Sequence, residues 1–338
     1  MSGSGTAAGA IADLIGAVTA AAPAEPPLPR FPVDFPTPDI GPWIDGNVGI
    51  PGVTSIDSGR PGPHVCISAL THGNEIAGAV VLDRLLRGWR AGTGPAPRRG
   101  RLTLAFVNLA AFARFDPANP TMSRFADEDF NRLWDPALLD GPRRSSELDR
   151  ARVLRPLIDD VDVLLDLHSM LWPSDPLILC GPSEKGRALA RGIATPGLVV
   201  ADHGHSTGPR LIDYPRFTDP ALPARAVLVE AGQHWQSATI CTAEATVTAL
   251  LRHLRLLDAP AAAADCRVAE VTETITAGAR PFTFVQPYRG GTVVPRAGTL
   301  IGHDGGREVR TAYDDCLLVM PSLRPSRGHT VVRLARFV

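Results

Sequence analysis

The sequence predicts an α/β protein: a mixed, mostly parallel sheet with helices on both faces, followed by a small all-β C-terminal domain. Three observations carry this. From Gly46 onward, short apolar runs of strand length alternate with longer segments of helical spacing, which is the rhythm of an α/β sheet. Some of those runs, VDVLLDL and AVLVE, are apolar at nearly every position, as strands covered on both faces are. Beyond Asp258 the helical periodicity stops at APAAAAD, and the rest of the chain is rich in Thr, Val, Gly and Pro, the composition of short strands joined by turns.

Residues 1–45 come first as a Pro/Ala-rich arm. Proline fixes φ and removes a backbone donor, so the dense run from Pro23 to Pro42 is expected to be extended. The weakly apolar stretch Ala7–Ala22 has no Lys or Arg before it and contains Asp13; neither a secretory signal nor a membrane span is expected, and a cytoplasmic protein is the default. Residues 46–258 are expected to form the α/β domain. Its strands are His64–Leu70, Leu102–Asn108, Val161–Leu167, Leu177–Cys180, Leu198–Ala201 and Ala226–Glu230. Its helices are Ile76–Trp89, Ser146–Ile158, Glu184–Ile193, announced by Pro182-Ser183, and Thr239–Leu257. Residues 259–338 form the β-rich domain, with turns at Arg289-Gly290-Gly291, Arg296-Ala297-Gly298 and His303-Asp304-Gly305-Gly306.

At 338 residues the chain is long enough for two structural units without disulfide or metal staples. Lys and Arg number 34 against 35 Asp and Glu, which leaves no electrostatic footprint for nucleic acid or an anionic membrane. The five cysteines are scattered and odd in number, so no disulfide framework is expected; Cys66 and Cys180 sit in apolar runs and read as core.

Chemistry gathers where apolar strands end, which is where open α/β sheets build their sites. In Thr71-His72-Gly73-Asn74-Glu75 an imidazole and a carboxylate stand three apart at a strand-to-helix turn, and both are zinc-ligand types. Asp166-Leu167-His168-Ser169 puts a second histidine at another strand end, with Asp166 on the same side of the strand to orient an imidazole. Two nitrogens and one carboxylate leave a coordination position open, as in a catalytic rather than a structural zinc site. Val229-Glu230-Ala231-Gly232-Gln233 ends a third strand on a carboxylate, which beside activated water would serve as general base and then general acid. In Ser123–Trp134 (SRFADEDFNRLW), Arg132 offers a fork for a carboxylate and Asn131 an amide beside it, while Arg124 could polarise a carbonyl. The loop Asp202–Arg210 is rich in glycines and donors; Arg210 or His205 could read one end of a substrate, though a plain polar turn explains it as well. Taken singly, each motif also has an ordinary explanation as a cap, a core histidine or a surface ion pair.

Taken in order, HGNE, SRFADEDFNRLW, DLHS and VEAGQH resemble the succinylglutamate desuccinylase/aspartoacylase family, relatives of the zinc carboxypeptidases, over roughly Trp43 to Leu257. The resemblance implies a zinc carboxypeptidase-like fold and a hydrolase that cleaves the amide of an N-acyl amino acid. It implies one zinc ion per chain on His72, Glu75 and His168, with Glu230 as general base. Arg124 would assist at the carbonyl, and Asn131 and Arg132 would grip a substrate carboxylate. The partner implied is a small N-acyl amino acid, not nucleic acid or membrane, and the subunit count is left open, a homo-oligomer included. Two stretches depart from the family pattern: Asp-Leu-Asn-Arg is Asp129-Phe130-Asn131-Arg132, and Glu-Val-Gly-Pro is Glu230-Ala231-Gly232-Gln233. The pocket wall beside Glu230 is therefore expected to differ from that of the aspartoacylases. Two other activities fit the same residues, a carboxypeptidase-like metallopeptidase and a non-catalytic carboxylate-binding protein.

Overall fold

The structure, a computed structural model, describes residues 29–94, 96–257, 265–278 and 281–338. Two units are present, Met1–Pro32 and Val33–Val338. Of the first, residues 29–32 are described and have no regular secondary structure. The rest of the expected arm and most of the alanine-rich linker, residues 258–264, lie outside the described residues.

The second unit is built on an eleven-stranded sheet. The six strands expected from the apolar runs are β2 (His64–Ala69), β3 (Arg101–Phe106), β4 (Val163–Met170), β5 (Leu177–Leu179), β6 (Leu198–Ala201) and β7 (Arg225–Gln233). Before them comes β1 (Val53–Asp57), whose VTSID sequence carries too little apolar character to announce a strand. It pairs antiparallel with β3 at the sheet edge. There the Asn47 side chain accepts from Ser55 N–H and donates to Ser55 C=O, so part of the edge is already paired. The C-terminal part supplies β8 (Arg267–Thr276), β9 (Phe282–Phe284), β10 (Val293–Val294), β11 (Leu300–Asp304), β12 (Arg307–Arg310), β13 (Cys316–Val319) and β14 (Thr330–Phe337).

The sheet order is β1-β3-β2-β4-β7-β5-β6-β8-β14-β13-β10. Two parallel blocks, β3-β2-β4-β7 and β5-β6-β8, meet at the antiparallel β7–β5 pair. From β8 onward the pairing is antiparallel, and β12-β11-β9 form a separate small sheet. This C-terminal region packs a core of its own around Phe282, Ile301, Leu318 and Val332.

Four long helices cover the main sheet: α1 (Ile76–Arg90), α2 (Ser146–Asp160), α3 (Glu184–Ile193) and α4 (Ser237–His253). Helix α4 packs against both α1 and α3, while α2 lays Ala151, Leu154 and Ile158 on the other face against Cys66, Leu164 and Leu228. Ser145 and Ser183 cap α2 and α3 by accepting from Leu148 N–H and Gly186 N–H. Helix α4 stops at His253 rather than running on to Leu257. Arg255 takes a left-handed conformation (φ 57°), and Leu256 N–H donates back to Leu251 C=O, closing the helix end. Cys66 and Cys180 are buried as expected, and burial pushes both thiols up to about 12.

Candidate active site

Strand alternation decides which side chains meet. Leu164 and Leu228 face α2, so Asp166 and His168 on β4 and Glu230 on β7 point to that same side. In the parallel β4–β7 ladder His168 lies directly opposite Glu230. The first motif arrives from β2 through a sharp turn in which Leu70, fully buried, is held at φ 61°, a left-handed conformation that costs a non-glycine residue about 1–3 kcal/mol. His72 and Glu75 then enter the site just ahead of α1. Gly73 between them has no room for a side chain: a Cβ there would stand 2.4–2.6 Å from backbone atoms of Ala111, Phe112 and Ser123.

The three residues of the first two motifs converge. His72 Nδ1 lies 2.7 Å from Glu75 Oε1, and His168 Nδ1 lies 2.9 Å from Glu75 Oε2. All three side chains are buried, and their ligand atoms lie within 4.8 Å of one another. Each histidine turns its other nitrogen to an outer carboxylate: His168 Nε2 is 2.7 Å from Asp166, and His72 Nε2 is 3.0 Å from Asp129. Asp166 is held in turn by the hydroxyls of Ser68 and Thr71. Imidazoles aimed at one point and backed by carboxylates are the arrangement of a metal site with its supporting shell, and this donor set fits a divalent transition-metal ion.

The charges follow from the packing. Burial alone would raise the Glu75 carboxyl, but His72 and His168 outweigh it and hold it well below the usual carboxylate range. For His168 burial works downward and is overcome by Asp166 and Glu75, leaving the imidazole well above its ordinary value. For Glu230 the compensation from His168, Arg124 and Arg333 falls short. Burial, reinforced by the negative Glu75, pushes its carboxyl up to about 8, and its Oε2 is buried without a hydrogen-bond partner.

The SRFADEDFNRLW segment wraps the site under the control of a residue that the motifs do not contain. Glu147, fully buried near the start of α2, accepts from the backbone N–H groups of Ala126, Asp127 and Glu128 and from the Asn108 amide. The loop so held brings Arg124 to 2.9 Å from His72 Nε2 and 3.3 Å from Glu75 Oε1. Asp129 takes a hydrogen bond from Arg124 as well as facing His72. Burial would raise Asp129, but His72 and Arg124 keep it far below the usual range.

Asn131 and Arg132 line the same cavity, of about 200 Å³. The Asn131 side-chain Oδ1 accepts from Leu211 N–H, and Arg132 Nε donates to Thr207, tying this segment to the 202–210 loop and the residue that follows it. Gly208 (φ 145°) lies against Arg132, where a Cβ would meet its carbonyl oxygen at 2.2 Å. Arg210 also reaches the cavity wall, but its guanidinium is committed: Nη1 and Nη2 donate to Asp202, and Nε and Nη2 donate to Asp213. It therefore fixes the shape of the loop and presents no free fork. Gln233 stands where the departure from the family pattern was noted, with His234 next to it; His234 Nδ1 is 2.8 Å from Ser169 Oγ, and burial holds its imidazole down at about 4.

Sequence reasoning missed Asp129 as a partner of His72, Glu147, and the cavity's far wall, which Met320, Pro321, Ser322 and Arg333 build from the C-terminal region. A signal for Arg333 existed, a lone arginine inside the buried run VVRLA of β14, but nothing in the sequence tied it to motifs a hundred or more residues away.

Residues 61–256, more than half of the chain, match the succinylglutamate desuccinylase/aspartoacylase catalytic domain. No curated protein matches the sequence. Among solved structures, the fold is similar to succinylglutamate desuccinylase from Vibrio cholerae (20% identity, 85% of each chain covered, TM-score 0.64). It is also similar to that from Vibrio parahaemolyticus (18%, 85% of this chain and 86% of the other, 0.63). A product-bound ectoine utilization protein from Ruegeria pomeroyi shares it too (17%, 84% and 88%, 0.58). The chain belongs to the succinylglutamate desuccinylase/aspartoacylase family, whose members are deacylases.

Proposed function

We propose that the protein is a zinc-dependent amidohydrolase that removes the acyl group from a small N-acyl amino acid. The observation that carries this reading is the juxtaposition of the buried His72–Glu75–His168 donor group with Glu230, a buried carboxylate with an unpartnered oxygen in the same cavity. Zinc held by those three residues, one ion per chain, would supply a Lewis acid for the amide carbonyl and lower the pKa of water beside it. Glu230 then takes the proton from water as general base and passes it to the departing amine. Arg124 sits against His72 and Glu75 and would stabilise charge that develops on the carbonyl oxygen. Asn131 and Arg132 would hold a substrate carboxylate, with Arg210 serving that binding at one remove by shaping the 202–210 loop.

The small cavity and its C-terminal wall favour an acyl amino acid over an extended peptide, which separates this reading from a carboxypeptidase. The test is Glu230→Gln loaded with zinc and assayed on N-acyl amino acids that the wild type cleaves. General-base loss lowers kcat by about 100-fold or more with zinc still bound at one per chain. Turnover at the wild-type rate would overturn the assignment.

A further inference from the structure

Among the described residues, two of the buried side-chain polar atoms left without a hydrogen-bond partner belong to residues that line the active-site cavity: Glu230 Oε2 and Arg333 Nε. The first has a role in the proposed chemistry. The second does not, and burying a guanidinium N–H with no acceptor is costly unless something takes it. Arg333 is 3% exposed on β14, in an otherwise apolar stretch of that strand, so its position is not an accident of a mobile surface side chain. Its nearest carboxylate, Asp202, is 3.9 Å from Nε, and both Asp202 oxygens are already taken by Arg210. Its Nη2 lies 3.0 Å from a ring nitrogen of His205. That imidazole gives no negative charge, and burial together with Arg333, Arg132 and Arg210 pushes it down to about 2, so it stays neutral.

We infer that Arg333 is a specificity-determining residue of this active site, its guanidinium, whose Nε–H has no acceptor within the protein, taking an anionic oxygen of the substrate other than the one held by Asn131 and Arg132. The inference rests on the proposed function and adds that the last strand of the C-terminal region reads the substrate directly. The charge recognised could sit on the acyl group or on the amino-acid side chain, and matched compounds distinguish the two. N-succinylglutamine against N-butyrylglutamine varies the acyl end; N-acetylglutamate against N-acetylglutamine varies the other.

The experiment compares zinc-loaded wild type with Arg333→Gln on both pairs. Dissociation constants by calorimetry and, where hydrolysis occurs, KM and kcat are measured. In one pair the wild type should prefer the acidic member, and Arg333→Gln should lose about 10- to 100-fold of that preference, mainly in KM, while the neutral member changes little. Arg333→Lys keeps the charge balance with Asp202 and should show an intermediate preference, which a purely structural role would not produce. The inference is overturned if the wild type shows no preference for the acidic member of either pair, or if both variants keep the wild-type preference. Because binding is measured independently of turnover, absence of hydrolysis would count against the proposed function alone.

Discussion

Glu230 is placed by two-residue alternation on β7 and by a ladder that sets it opposite His168. The first was legible in the sequence, because a carboxylate ending an apolar run is conspicuous; the pairing of β4 with β7 was not. Its protonation was not legible, since that depends on how deeply the cavity is buried and on Glu75 nearby. The consequence can be measured. With the folded carboxyl at about 8 against an ordinary 4.5, the stability that goes with its protonated form is complete below about pH 4.5 and is lost as pH rises through about 8. In metal-chelated protein, Glu230→Gln stays neutral throughout. Its Tm should exceed that of the wild type by a margin that widens between about pH 5 and about pH 8; a margin independent of pH would contradict the burial argument.

At the scale of elements, the site depends on one helix start holding one loop. The two oxygens of Glu147 receive three backbone N–H groups and one amide, and the loop they order carries Arg124, Asp129, Asn131 and Arg132. Replacing one oxygen with an NH2 group sets a donor against donors. Glu147→Gln should therefore cost about 2–3 kcal/mol in denaturant unfolding and lower kcat/KM for an N-acyl amino acid by about 10-fold or more. Wild-type kinetics in this variant would show that the loop is ordered by other means. The motif itself was legible in sequence, but what orders it was not. Glu147 looks like any acidic residue in the first turn of a helix, and only the tertiary structure turns it inward. Arg210 illustrates the converse: its sequence neighbours suggested a substrate contact, while Asp202 and Asp213 converge on it only after folding.

For the whole molecule, the apolar runs and helical periods fixed the order of layers, because burial on both faces of a strand leaves a pattern that composition alone reveals. What they could not specify is how far the sheet continues. The β6–β8 pair joins the C-terminal strands to the main sheet, and through β14 that extension reaches the cavity; pairing between strands so far apart in sequence leaves no local signature. No helix among the described residues is long and apolar enough to cross a membrane. The catalytic proposal is a property of the assembled chain, since three strand ends, the 123–134 loop and the last strand all contribute. Its most direct test is the zinc content of the purified protein measured together with hydrolysis of N-acetyl and N-succinyl amino acids, before chelation, after it, and after zinc is restored. One zinc per chain is expected, with amide cleavage that chelation abolishes and zinc restores. A protein that retains no zinc, or that hydrolyses these amides equally well under chelator, would contradict it.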